Sequence, residues 1–140
     1  MQVEYLLEKA DILKMNNHEL ALIAGWYDTS TYTKDNIQLL QDRFKIPTII
    51  VTMGDEGAVV NHKGEMYFQR GFSVKVADTI GSGDSFLAGF LHKFSNGKTI
   101  EECIKFACGI GAVVASKNGG CPAYEISEIE ALIKEQDKAA

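Results

Sequence analysis

The sequence predicts an α/β fold with a mainly parallel sheet and a β-hairpin region, and three observations carry that expectation. Thr48-Ile49-Ile50-Val51-Thr52-Met53 is a continuous run of strand length, as expected where both faces of a strand are covered. Ala10-Asp11-Ile12-Leu13-Lys14-Met15 reads as a second buried strand, and a helical pattern over Thr33–Phe44, with Ile37, Leu40 and Phe44 on one side, separates the two. Gly54-Asp55-Glu56-Gly57 and Lys63-Gly64 are turn signals that set off Ala58–Asn61 and Met66–Phe68 as hairpin strands.

The remaining elements follow in order. Val3–Lys9 opens the chain as a short helix, and Asn16 and Asn17 offer caps for a helix containing Glu19, Leu20, Leu22 and Ile23. Pro47 stops the Thr33–Phe44 helix. Phe72, Val74 and Val76 alternate with Ser73 and Lys75, which predicts a half-buried strand. Beyond a glycine-rich turn, Phe86, Leu87, Phe90, Leu91 and Phe94 line one helical face. Thr99 and Glu102 have capping-box spacing before a long helix that Gly119-Gly120 ends and Pro122 keeps from continuing. Ser127 and Glu130 repeat that spacing before a last helix with Ile129, Leu132 and Ile133, and the Lys-Ala-Ala tail is expected to fray.

At 140 residues, 46% hydrophobic and 24% charged, the chain is expected to form one compact unit, and it shows no internal repeat or linker. A net charge of -5 excludes nucleic acid as a partner, so an anionic ligand must be held by local amides or a metal. No apolar run approaches the ~20 residues of a membrane span, and no signal-peptide pattern opens the chain. Cys103, Cys108 and Cys121 form neither a C-x-x-C pair nor an even disulfide set, the usage of a reducing compartment. A soluble cytoplasmic protein with no membrane partner is expected. His18, His62 and His92 lack ligand spacing and read as surface or capping residues. Trp26 and Tyr27 follow Gly25 in a loop, as a packing plug or a subunit contact.

The segment with most chemical content is Asp78-Thr79-Ile80-Gly81-Ser82-Gly83-Asp84. Its glycines stand where a helix begins, and first-turn amides lack intrahelical partners and carry the positive end of the macrodipole. A phosphate can approach such amides closely, and a carboxylate in the same turn can act as a base beside it. The pattern therefore suggests phosphoryl transfer; a purely structural strand-to-helix connection is the alternative. The lysine and spacing of G-x-x-x-x-G-K-[ST] are missing, as is G-x-G-x-x-G after a first strand.

Asp78–Asp84 resembles D-T-x-G-A-G-D of the ribokinase-like carbohydrate kinases, with Ser82 where alanine is commoner. The resemblance implies that Asp84 is the base for a sugar hydroxyl and that amides around Gly81, Ser82 and Gly83 form the anion hole. Asn16-Asn17-His18-Glu19 resembles the family's N-x-x-E, placed near Mg2+ and phosphates, so Asn16 and Glu19 would act on the metal through its water; simple helix capping is the alternative. Thr52-Met53-Gly54-Asp55-Glu56-Gly57 resembles T-x-G-x-x-G, in which Thr52, Gly54 and Gly57 border the ATP phosphates, and a hairpin turn is compatible with that role. Ala107–Gly111 resembles the adenine-flanking helix, putting Cys108 and Gly111 beside the nucleotide; Cys108 stands where many relatives carry a polar residue such as Asn, and helix packing explains it as well. Asp78, the backbone at Ile80 and carbonyls near Val114, Lys117 and Gly119 resemble a site for a monovalent cation such as K+.

As a whole, the resemblance implies the C-terminal part of a ribokinase-like three-layer α/β/α sandwich. Residues 1–140 would be its nucleotide-binding portion, with the strand-rich N-terminal half and its lid lying outside. An exposed apolar sheet edge would then be covered by dimerisation or by association with the missing half. The implied reaction is ATP-dependent phosphorylation of a sugar with Mg2+. Fructose is the first expectation, with ribose, 2-keto-3-deoxygluconate and nucleosides open, and the 140 residues alone are expected to be inactive. A non-catalytic ATP-binding or assembly fragment and a dinucleotide-dependent oxidoreductase are the other readings.

Overall fold

The computed structural model describes residues 2–28, 32–119 and 122–139. The elements in chain order are α1 (Gln2–Lys9), β1 (Ile12–Asn16), α2 (Asn17–Ala24), α3 (Thr33–Phe44), β2 (Thr48–Thr52), a 3-10 turn (Gly54–Glu56), β3 (Gly57–His62), β4 (Glu65–Arg70), α4 (Ser82–Ser95), α5 (Ile100–Ala115) and α6 (Ile126–Ala139). The four strands form one sheet in the order β1-β2-β3-β4. Where composition suggested one compact unit, packing divides the chain into two: Met1–Met53 with Val59–Tyr67, and Gly54–Ala58 with Phe68–Ala140.

In the first unit, β1 and β2 pair in parallel, Ile12 opposite Thr48 and Asn16 opposite Thr52. Parallel neighbours need a long crossover, and α2 with α3 supplies it. Leu20, Ile37, Leu40, Ile49 and Val51 form the centre of this unit's core. β2 is buried at four of its five residues, as its apolar run predicts, but β1 is buried only at Met15. The expectation of a buried first strand therefore holds only at Met15: β1 lies at the end of the strand order, with no strand paired to its outer edge among the described residues. α3 stops at Phe44 because Lys45 turns left-handed (φ 57), its amide donating to the Gln41 carbonyl at 2.8 Å, just before Pro47. Lys63 and Gly64, both at positive φ, make the two-residue link that turns β3 back into β4.

The second unit packs α4, α5 and α6 around Phe106, Ile110, Val113, Val114 and Ile129. On α4, Phe86 and Phe90 are buried as predicted, Leu87 and Phe94 are half-buried, and Leu91 is exposed. The predicted strand at Phe72–Val76 is absent; this stretch pairs with no strand. Instead, the Gln136 side chain amide bonds both backbone groups of Ser73, accepting from its N–H and donating to its carbonyl, each at 2.7 Å. One side chain on α6 thus takes the place of a strand partner.

α5 begins at the predicted Thr99/Glu102 capping box but ends at Ala115, before Gly119. Its last carbonyls are satisfied early, by the Ser116 amide and by the Ser116 hydroxyl, which donates to the Val113 carbonyl at 2.6 Å. α6 starts one residue before Ser127, because Glu128, not Glu130, folds back onto a backbone amide, that of Glu125, at 3.2 Å. α6 runs to Ala139, and Ala140, the last residue of the tail expected to fray, lies outside the described residues. Gly120 and Cys121 lie outside the described residues.

Candidate active site

Three of the predicted residues gather at the C-terminal ends of the parallel strands in the first unit. Asn16 ends β1, caps α2 and stands in register with Thr52, the last residue of β2. Its Oδ1 accepts the Glu19 amide at 2.8 Å, and Glu19 Oε2 accepts the Asn16 amide at 3.0 Å. Capping, the alternative reading of this pair, is therefore its observed local role. It still leaves the exposed Glu19 carboxylate held at the strand ends, where open α/β sheets bind ligands.

The Asp78–Asp84 turn is built within the second unit. The Ala115 carbonyl accepts the Ala77 and Asp78 amides at 2.8 and 3.1 Å, tying the turn to the end of α5. Asp78 Oδ1 accepts the Ile80 amide at 2.9 Å. The Thr79 carbonyl accepts the Ser82 amide at 3.2 Å and the Ser82 hydroxyl at 2.8 Å. Gly81 is the N-cap of α4 in the left-handed region, φ 81 and ψ -7, which a residue with a Cβ adopts only under strain. Two predicted donors thus differ in kind. The Ser82 amide is already spent, whereas the amides of Gly83 and Asp84 have no acceptor among the described residues. Asp84 is exposed in this first turn. Free amides at the positive end of a helix beside an exposed carboxylate can bind an anion and take up a proton.

Gly54 and Gly57 bracket the 3-10 turn, at φ 59 and φ 111. A Cβ on Gly57 would run into the Gln69 carbonyl and lie 2.7 Å from the Gly71 amide nitrogen. Gly71 answers from the other side, its amide donating to the Glu56 carbonyl at 3.2 Å. Gly111 on α5 faces the start of α4, where a Cβ would sit 3.5 Å from the Ser82 carbonyl.

Residues 1–126 match the profile described as pfkB family carbohydrate kinase. The chain belongs to the pfkB family of carbohydrate kinases. Fructokinase-2 of Solanum lycopersicum is 30% identical over 141 residues, covering 95% of this chain and 42% of the relative. The 1-phosphofructokinase of Borreliella burgdorferi is 31% identical over 131 residues, covering 90% and 41%. The crystal structure of ribokinase from Thermotoga maritima superposes with a TM-score of 0.81 at 27% identity, covering 94% of this chain and 44% of that one. Fructokinase from Vibrio cholerae O395, in its fructose, ADP and calcium ion bound form, superposes with a TM-score of 0.79 at 28% identity, covering 94% and 43%. The fold is thus ribokinase-like α/β, and this pfkB-family chain spans less than half the length of these relatives.

Other predicted residues sort by their surroundings. Cys108 is buried in α5, and burial pushes its thiol up to about 12, so it presents no nucleophile; the Cys103 thiol is raised by burial as well. Of the suggested cation ligands, Asp78 Oδ1 and the Val114 carbonyl already accept the Ile80 and Lys117 amides, the latter at 3.1 Å. Among the described residues no three His, Cys, Asp or Glu side chains are grouped to hold a metal, and no helix is long and apolar enough to cross a membrane. His62 is fixed by Thr48, Nδ1 to Oγ1 at 2.8 Å, and His18 and His92 are exposed. Tyr27 is a packing plug, edge-on to Phe44 with the Arg43 guanidinium 3.9 Å from its ring centroid. A cavity of about 570 Å³ lies among α4, α5 and α6 and contains none of the predicted site residues.

Two contributors escaped the sequence reading. Ala115 acts through its carbonyl, which leaves no mark in the sequence. Gly71 is the missing counterpart of Gly57, and its place directly after β4 was a readable sign of close backbone approach.

Proposed function

We propose that the protein acts in ATP-dependent phosphoryl transfer to a sugar hydroxyl, with a fructose-like sugar as first substrate. The observation that carries this reading is the Asp78–Asp84 turn, where two free first-turn amides stand beside the exposed Asp84. Asp84 takes the proton of the attacking hydroxyl, whose oxygen bonds to the γ-phosphorus as the bond to the β–γ bridging oxygen breaks and ADP leaves. The Gly83 and Asp84 amides hold the negative charge that spreads over the phosphoryl oxygens, and Gly81 fixes their direction. By the family resemblance the nucleotide phosphates would border Thr52, Gly54 and Gly57, and the adenine ring would lie along α5 near Gly111, with the buried Cys108 behind it.

The donor set suits Mg2+ held mainly by water and phosphate, because Glu19 offers one exposed carboxylate without a three-ligand cage. When bound, the ion neutralises charge on the phosphates. Glu19 and Asn16 would hold it through its water. A cytoplasmic location belongs to the same proposal and rests on the unpaired cysteine pattern.

A second reading, an ATP-binding chain that transfers nothing by itself, is favoured by its coverage of 42% of the fructokinase relative. The dinucleotide-dependent oxidoreductase expectation has no support, since the family is one of carbohydrate kinases. Calorimetric titration with ATP and Mg2+, run beside an ADP-release assay with fructose and ribose, separates these readings. Asp84→Asn should leave ATP affinity within about twofold and lower turnover at least about 100-fold. Absence of ATP binding overturns both readings, and ATP binding without ADP release selects the second.

A further inference from the structure

We propose that the groove between α5 and α6 is a docking site for an acidic protein segment carrying one bulky apolar side chain. The chain is acidic overall, at -5, yet five of its lysines line this one cavity of about 570 Å³. One counter-charge is spent, Asp137 being paired with Lys105 at 2.9 Å. Lys98, Lys134 and Lys138 have no ion-pair partner among the described residues, and the lining's other carboxylates are only two, Glu102 and Glu130, against four lysines outside the Lys105 pair. A local positive strip on an acidic protein selects an acidic partner.

The floor is apolar. Ile133 and Phe106 contribute its apolar lining, and the Lys93 ammonium lies over the Phe106 ring at 4.6 Å from its centroid, setting one cation directly against that lining. An apolar seat rimmed by cations fits an anchor side chain flanked by carboxylates. Length favours a segment over a single small anion. The lining on α6 runs from Glu130 to Lys138, about 12 Å at 1.5 Å per residue, and Lys134 and Lys138 stand one turn apart along it. Cations set one turn apart on α6, with Lys98 and Lys105 across the groove, match carboxylates spaced along a chain.

The probe is a fluorescein-labelled 12-residue peptide of Glu and Asp with one central Leu, titrated against the 140-residue chain by anisotropy. Expected results are saturable binding, at least tenfold weaker binding to the Lys134→Glu/Lys138→Glu variant, and weakening as salt is raised. Both lysines are exposed, so the variant's circular dichroism and melting should match the parent. The same peptide with Leu replaced by Gly should bind several-fold more weakly. Absence of binding, or equal binding to parent and variant, overturns the proposal. So does equal binding of the Leu and Gly peptides with full displacement by inorganic tripolyphosphate, which would mark a surface for small anions only.

Discussion

Asn16 lies directly opposite Thr52 in the parallel pairing of β1 and β2, and both are the last residues of their strands. The polar ends of two strands are thus brought side by side at the edge where such sheets bind ligands. Asn16 also caps α2, so its side chain direction is fixed by the Glu19 amide before any ligand arrives. Fold and site use the same residue here, and substitutions can separate the two uses.

Glu19→Gln and Asn16→Ala should behave differently. Glutamine can still accept the Asn16 amide, so Glu19→Gln keeps the capping box and should change stability by less than about 0.5 kcal/mol. Asn16→Ala removes the cap and should cost about 1 kcal/mol in urea denaturation. If Glu19 serves the metal, Glu19→Gln should raise the Mg2+ concentration needed for ATP binding while the melting point stays put. Unchanged Mg2+ dependence would leave Glu19 with capping alone.

What the sequence made legible here was local. The Asn16 cap and the Thr99–Glu102 capping box are each contained in four residues, so both could be read directly. The apolar run of β2 and the turn at Lys63-Gly64 were equally explicit. The errors arose where distant groups decided the outcome. Phe72–Val76 has strand alternation, but the partner that meets Ser73 is a glutamine side chain 63 positions away. Ala77 and Asp78 are held by a carbonyl, which no residue type signals. The turn's glycines were visible, but the spent amide of Ser82 beside the free ones of Gly83 and Asp84 was not.

Gly57 and Gly64 offer a paired test of backbone strain against steric conflict. Both have positive φ, 111 and 92, but a Cβ at Gly64 meets nothing within 4 Å while one at Gly57 meets the Gln69 carbonyl. Gly64→Ala should cost about 1–2 kcal/mol from conformation alone. Gly57→Ala should cost clearly more, because the end of β4 must also move. Equal losses in chemical denaturation would refute the close approach at Gly57.

Gln136→Ala tests the side chain that stands in for a strand. Two hydrogen bonds to Ser73 are lost, and their exposure holds the expected destabilisation to about 1 kcal/mol. The sharper readout is hydrogen exchange, which should speed up at the Ser73 amide while amides inside α5 change only with global stability. Unchanged exchange at Ser73 would mean that its amide is protected by something other than Gln136.

Cys108 gives the chain a defined alkaline weakness. Burial raises its thiol from 9.0 to about 12, so the folded state keeps a proton that the unfolded chain releases above pH 9. The unfolded state then binds fewer protons than the folded one, and stability must fall as pH rises. The contribution is intact below pH 9 and declines through the window from 9 to about 12, with a slope of about 1.4 kcal/mol per pH unit. Between pH 8 and 10 the parent should therefore lose about 1.4 kcal/mol more than Cys108→Ala in urea unfolding. Every other side chain is common to the two proteins, so the difference isolates this thiol. Parallel losses in the two proteins would show that Cys108 ionises without leaving its buried place on α5.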